Sequence, residues 1–155
     1  YMPNLETVGR LFLIDNSSLK EINLPKLKKV GVYFLKANNS IESAYLPELL
    51  KVGRSFLREN TCLRELYVPM LKDIDNSFLE NNQSLEYLSL PEVETIGNNV
   101  LSKNTKLKSL YTPKIQFIGI NFLENKQELL DSLCIYSQSM HNLLSTEENK
   151  VKGGR

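Results

Sequence analysis

The chain has 155 residues, 41% of them hydrophobic and 24% charged, with a formal net charge of +1. That is enough chain for one domain with its own core, in proportions ordinary for a globular protein. The near-neutral balance argues against long-range attraction to nucleic acid or anionic lipid, and no stretch approaches the ~18 apolar residues of a membrane span.

Reading from the N-terminus, Tyr1 and Met2 already fit the end of a repeating unit whose next copy opens at Pro3. The remaining prolines are Pro25, Pro47, Pro69, Pro91 and Pro113, each 22 residues after the last. A fixed period of this length is the mark of a stacked solenoid. With proline as position 0, position 2 is Leu, Val or Ile throughout and position 5 is Val or Ile (Val8, Val30, Val52, Ile74, Ile96, Ile118). Position 6 is Gly9, Gly31, Gly53, Asp75, Gly97 and Gly119. Positions 9 and 10 read Phe-Leu, with Val100-Leu101 the one variant. Position 13 is Asn16, Asn38, Asn60, Asn82, Asn104 and then Lys126. Each unit closes on an alternating apolar pair such as Leu66 and Val68.

These positions predict the course of one coil. The closing segment alternates with period two and is a short strand. Stacked in register, such strands make a parallel sheet about 4.8 Å per step, roughly 29 Å over six coils. Proline follows the strand and ends it, so no ladder bond is lost. The position-6 glycine is expected to turn the chain with positive φ, and Asp75 to hold the same conformation at small cost. The stretch around Phe-Leu is expected to be a short helical turn on the opposite face. The asparagine is placed to satisfy backbone groups where the chain bends back. The fold class expected is an α/β solenoid.

The template P-x-L-x-x-[VI]-G-x-x-F-L-x-x-N-x-x-L-x-x-L-x-L resembles a leucine-rich repeat of the bacterial BspA-like type. Relative to that pattern, FL stands for AF, Asn for Cys, and one loop is a residue shorter. The resemblance covers residues 1 to about 134. It implies a solenoid that recognises proteins, often in secreted or surface-exposed bacterial proteins or ones delivered into host cells. It brings no catalytic motif and no cofactor.

At the ends, the solenoid is expected over 1–134, a capping helix over 135–149 beginning near Ser137 or Ser139, and a disordered tail over 150–155. No cap is legible before Pro3. An open end exposes apolar columns, so the sequence predicts upstream chain or end-to-end self-association there.

Alternation along the strand turns positions 18 and 20 outward. Asn23, Tyr45, Tyr67 and Tyr111 occupy position 20, Tyr87 and Glu65 position 18. Tyrosine gives large amphipathic contact area and is enriched in binding hot spots. It is also a good exposed strand residue, so a purely structural role stays open. These six residues are the candidate site for a protein partner, with a host protein in view. Position 17 alternates Lys20, Glu42, Arg64, Glu86, Lys108, which predicts cross-strand ion pairs. The lysines and arginines of the second and third units lie among glutamates and read as a solvated face rather than a nucleic-acid stripe.

Chemistry is sparse. His141 is the one histidine, and Cys134, at an inward position, reads as a small core residue. Cys62 lies three coils from Cys134, too far for a disulfide, and two unpaired thiols point to a reducing compartment. No phosphate-loop, dinucleotide, zinc-protease or CxxC motif occurs. The Asn-x-Ser sequences at Asn16, Asn38 and Asn82 belong to the structural asparagine column. The sequence therefore reads as a non-enzymatic interaction module. Two alternatives stay open: the recognition part of a larger enzyme with its catalytic domain upstream, and an adhesin repeat.

Overall fold

The computed structural model of the chain describes residues 2–124 and 126–133. The chain winds in coils of 22 residues, and each coil contributes short strands to parallel sheets. In chain order these are β1 (Thr7–Val8), β2 (Glu21–Asn23), β3 (Lys29–Val30), β4 (Ser43–Tyr45), β5 (Glu65–Tyr67), β6 (Asp73–Ile74), β7 (Tyr87–Ser89), β8 (Thr95–Ile96), β9 (Ser109–Tyr111) and β10 (Phe117–Ile118). A helix, α1 (Gln127–Ser132), follows.

Closing strands pair in parallel one repeat apart within two sets, β2-β4-β5 and β7-β9, as Ala44 opposite Leu66 and Tyr87 opposite Ser109. Their alternation is as the sequence predicts: Ile22, Ala44, Leu88 and Leu110 are buried while the residues on either side face outward. A second parallel ladder, not anticipated from sequence, runs through positions 4 and 5. It joins β1 to β3 and β6 to β8 to β10, with single bridges Lys29–Lys51 and Lys51–Asp73 between. Its signal was the Val/Ile column at position 5, a β-branched run that suits a pleated, half-buried surface.

The Phe-Leu stretch is not a helix. Positions 8, 10 and 12 hold positive φ in coil after coil, for example Tyr33, Leu35 and Ala37 at 61°, 52° and 60° and Ser55, Leu57 and Glu59 at 60°, 50° and 63°. A right-handed helix cannot contain alternating left-handed residues. The amides explain the choice. Tyr33 N–H donates to Arg54 O and Ala37 N–H to Arg58 O in the next coil, each at 2.9 Å, and Leu57 N–H donates back to Phe34 O at 3.0 Å. The turn therefore hydrogen-bonds to the coils on both sides, where a helix would bond to itself. Inside it, Phe12, Phe34, Phe56 and Phe78 stack with centroids 5.1–5.5 Å apart, and Phe34, Phe56 and Phe78 are fully buried with Leu35, Leu57 and Leu79.

The asparagine column meets the expectation in part: Nδ2 of Asn38, Asn60, Asn82 and Asn104 each donates to a carbonyl of the preceding coil, but the Oδ1 atoms of Asn82 and Asn104 receive no bond. Asn60 Nδ2 donates to Leu35 O at 2.9 Å and Arg58 O at 3.2 Å, and its Oδ1 accepts from Asn38 N–H at 3.1 Å. Asn38, Asn60, Asn82 and Asn104 are buried. Burial of Asn38 and Asn82 makes both unsuitable as glycosylation acceptors in the folded chain. Lys126 stands where a sixth asparagine would, and α1 begins directly after it. Leu129, Leu130 and Leu133 pack from this segment onto the core.

Two conformational expectations are corrected. No described glycine has positive φ, and Asp75 is not among the residues that do. The glycine column exists for space. A Cβ on Gly31 would lie 2.6 Å from the Gly9 carbonyl carbon, and one on Gly53 would lie 2.8 Å from that of Gly31. Gly9 has no atom within 4 Å of such a Cβ. Successive coils thus touch backbone to backbone at position 6. In the first coil Leu5, Phe12, Leu13 and Leu19 are only partly buried. The capping helix expected over 135–149, the tail over 150–155, Cys134 and His141 lie outside the described residues.

Gly53→Ala should lower stability by about 1–3 kcal/mol, the usual cost of overpacking. Gly9→Ala should stay within about 0.5 kcal/mol. Urea unfolding of the two variants checks the difference.

Candidate interaction surface

The outer face of the closing strands, β2, β4 and β5 in one sheet and β7 and β9 in the next, carries the candidate residues. Tyr45, Tyr67, Tyr87 and Tyr111 are 46%, 48%, 64% and 58% exposed, and Asn23 and Glu65 are exposed beside them. Strand register explains how they sit together. Asn23 is opposite Tyr45 and Tyr45 opposite Tyr67, so the two rings stack with centroids 4.9 Å apart and planes 5° from parallel. The next coil has Ser89 at this place and carries its tyrosine two residues earlier, at Tyr87. Tyr111 then resumes the original row opposite Ser89.

Between the Tyr45–Tyr67 stack and Tyr87 lies a shallow depression of about 820 Å³. Leu66, Arg64, Glu65, Glu86 and Lys106 help to line it. The structure thus brings Tyr45, Tyr67, Tyr87 and Glu65 into one depression and leaves Asn23 and Tyr111 outside its lining, on the same sheet face. Sequence reasoning missed Leu66, Arg64 and Lys106. Leu66 belongs to an inward column, and it is only partly buried where Ile22, Ala44, Leu88 and Leu110 are buried.

Position 17 forms its ion pairs at the two ends. Lys20 reaches Glu42 at 3.7 Å and Lys108 reaches Glu86 at 2.7 Å, while Arg64 in the middle makes no ion pair with either neighbour, Glu42 or Glu86. The hydrogen bond from Lys108, and then its charge, holds the Glu86 carboxyl below the usual range and raises the Lys108 ammonium; Lys106 and Arg64 add smaller pulls on Glu86. Arg64 and Lys106 thus line the same depression as Tyr45, Tyr67 and Tyr87, with Glu86 already ion-paired to Lys108. Elsewhere the basic residues sort themselves. Lys28 pairs with Glu6, Lys36 with Glu59, and Arg58 with Glu59 and Glu80.

A model of the BspA-type leucine-rich repeat region, in six copies, matches residues 11–130. The chain belongs to the BspA-type leucine-rich repeat family. No curated protein and no solved structure matches it. The six matched copies agree with a stack of repeated coils, and the match carries no ligand with it. Among the described residues, no group of three or more His, Cys, Asp or Glu side chains is placed to hold a metal ion. No helix among them is long and apolar enough to cross a membrane. Cys62 is exposed.

Lys108→Ala should raise the pKa of Glu86. Carboxyl chemical shifts followed through an NMR pH titration would show it. Because the Glu86 value is depressed in the folded chain, the pair contributes above the unfolded carboxylate pKa, and that contribution is lost as pH falls through the folded value.

Proposed function

We propose that this chain is a protein-interaction module that receives a protein partner on the outer face of its closing-strand sheet, centred on Tyr45, Tyr67 and Tyr87. Family membership supports interaction in general. The observation that carries the location is the Tyr45–Tyr67 stack beside Tyr87 and the depression between them. Exposed rings held in place by strand register present apolar area and hydroxyl groups with little conformational entropy left to lose. Arg64, which lines the depression, adds a planar donor at the same place. Asn23 and Tyr111 extend the face beyond the depression. A secreted protein, or one delivered into a host cell, is the setting we favour, on family membership alone; a host protein is then the partner to seek first.

Tyr67→Ala and Tyr87→Ala should each weaken binding of a partner recovered by pull-down by at least tenfold, the cost of a hot-spot residue. Isothermal titration gives the measurement. Affinity unchanged in both variants would place the site on another face.

A further inference from the structure

The closing-strand sheet is broken at one place. β2, β4 and β5 form one hydrogen-bonded set and β7 and β9 another, with no pairing between β5 and β7. The missing bonds can be named from their repeats. Glu42, Arg64 and Lys108 amides donate to Lys20, Glu42 and Glu86 carbonyls, but the Glu86 amide does not reach Arg64. Leu24, Leu46 and Leu90 amides donate to Tyr45, Tyr67 and Tyr111 carbonyls, but Val68 does not reach Ser89. At position 3, amides of Lys28, Leu50, Glu94 and Gln116 bond to the preceding coil, and Lys72 alone among Lys28, Leu50, Lys72, Glu94 and Gln116 does not. All three gaps fall between the third coil, opening at Pro47, and the fourth, opening at Pro69.

On the other side of the same boundary the Phe-Leu turn stays bonded, though Asn82 Oδ1 does not receive the Asn60 N–H as Asn60 Oδ1 receives that of Asn38. Ser55 N–H reaches Asn76 O at 2.9 Å, Leu79 N–H reaches Phe56 O at 3.0 Å, and the Phe56 and Phe78 rings stack at 5.1 Å. The single bridge Lys51–Asp73 also holds. The coils are hinged at the Phe-Leu turn and parted along the closing strands.

The fourth coil is also the one with aspartate in the glycine column. At the inner glycines a Cβ would meet backbone of the preceding coil at 2.5–2.9 Å, as for Gly53 against Gly31 and Gly97 against Asn76 and Asp75. Asp75 carries that Cβ. Its side chain is exposed and its carboxylate accepts from Asn76 N–H at 2.6 Å. We propose that Asp75 is the wedge that parts β5 from β7, and that the depression at the tyrosines exists because of it. The wedge acts at position 6 and the opening appears on the strands of the same two coils. The partial exposure of Leu66 and the main-chain groups left unpaired along β5 and β7 follow from it. The value of this opening to a partner rests on the interaction reading above; the opening itself does not.

Amide hydrogen exchange on the intact chain separates the two. With Asp75→Gly the amides of Val68, Lys72 and Glu86 should exchange at least tenfold more slowly, and the melting midpoint should rise by about 2–4 °C. Asp75→Ala keeps the Cβ and removes the carboxylate, and should leave these amides as fast as in the parent. Unchanged exchange in Asp75→Gly, or equal slowing in Asp75→Ala, would overturn the wedge. Tyr67→Ala should not change these rates, so loss of the interaction site and loss of the wedge give different results.

Discussion

The structure depends on backbone hydrogen bonds that run between coils. A 22-residue coil of this kind satisfies few of its own peptide groups; its neighbours satisfy them, at the closing strands, at the second ladder and at the Phe-Leu turn. Buried backbone groups must be paired, so each feature that serves the stack has to recur at the same spacing. Proline ends each strand at the same residue, asparagine reaches the neighbouring coil at the same bend, and glycine clears the same backbone contact. A 22-residue unit could not bury its apolar face alone, and stacking makes one continuous core from Val8 to Leu123.

The Phe-Leu turn shows this constraint overriding local preference. A left-handed residue other than glycine or asparagine costs roughly 1–2 kcal/mol, and Leu35, Leu57 and Leu79 all adopt that conformation. In return each donates an amide to the adjacent coil and buries a full side chain in the column. This is why a helical turn was the natural sequence reading and the wrong one. Leucine and phenylalanine carry no local mark of positive φ, and the deciding partners are a repeat away. The glycine column misled in the opposite sense. Glycine advertises positive φ, but here it was needed for the absence of a Cβ, which only the neighbouring coil reveals.

The surface was legible to a similar degree. Strand alternation placed Tyr45, Tyr67, Tyr87 and Tyr111 outward, because period two is a local property. The stack of Tyr45 on Tyr67 follows from register, and register follows from the fixed repeat length. The depression was not legible, because it depends on a loss of pairing between two particular strands. Its one trace in the sequence was Asp75, visible as a departure from the column, with a consequence that needs the geometry of the neighbouring coil. Arg64 illustrates the same limit: a charge alternation predicts four equivalent pairs, and the two that involve Arg64 do not form.

Backbone φ at the Phe-Leu turn is the most direct test of an account built on coil-to-coil bonding. NMR couplings and chemical shifts, or a crystal structure, would supply it. The account predicts φ of 52°, 50° and 52° at Leu35, Leu57 and Leu79, with their amides bonded to the preceding coil. Negative, right-handed helical φ at these three leucines, with amides bonded four residues back in their own coil, would contradict it.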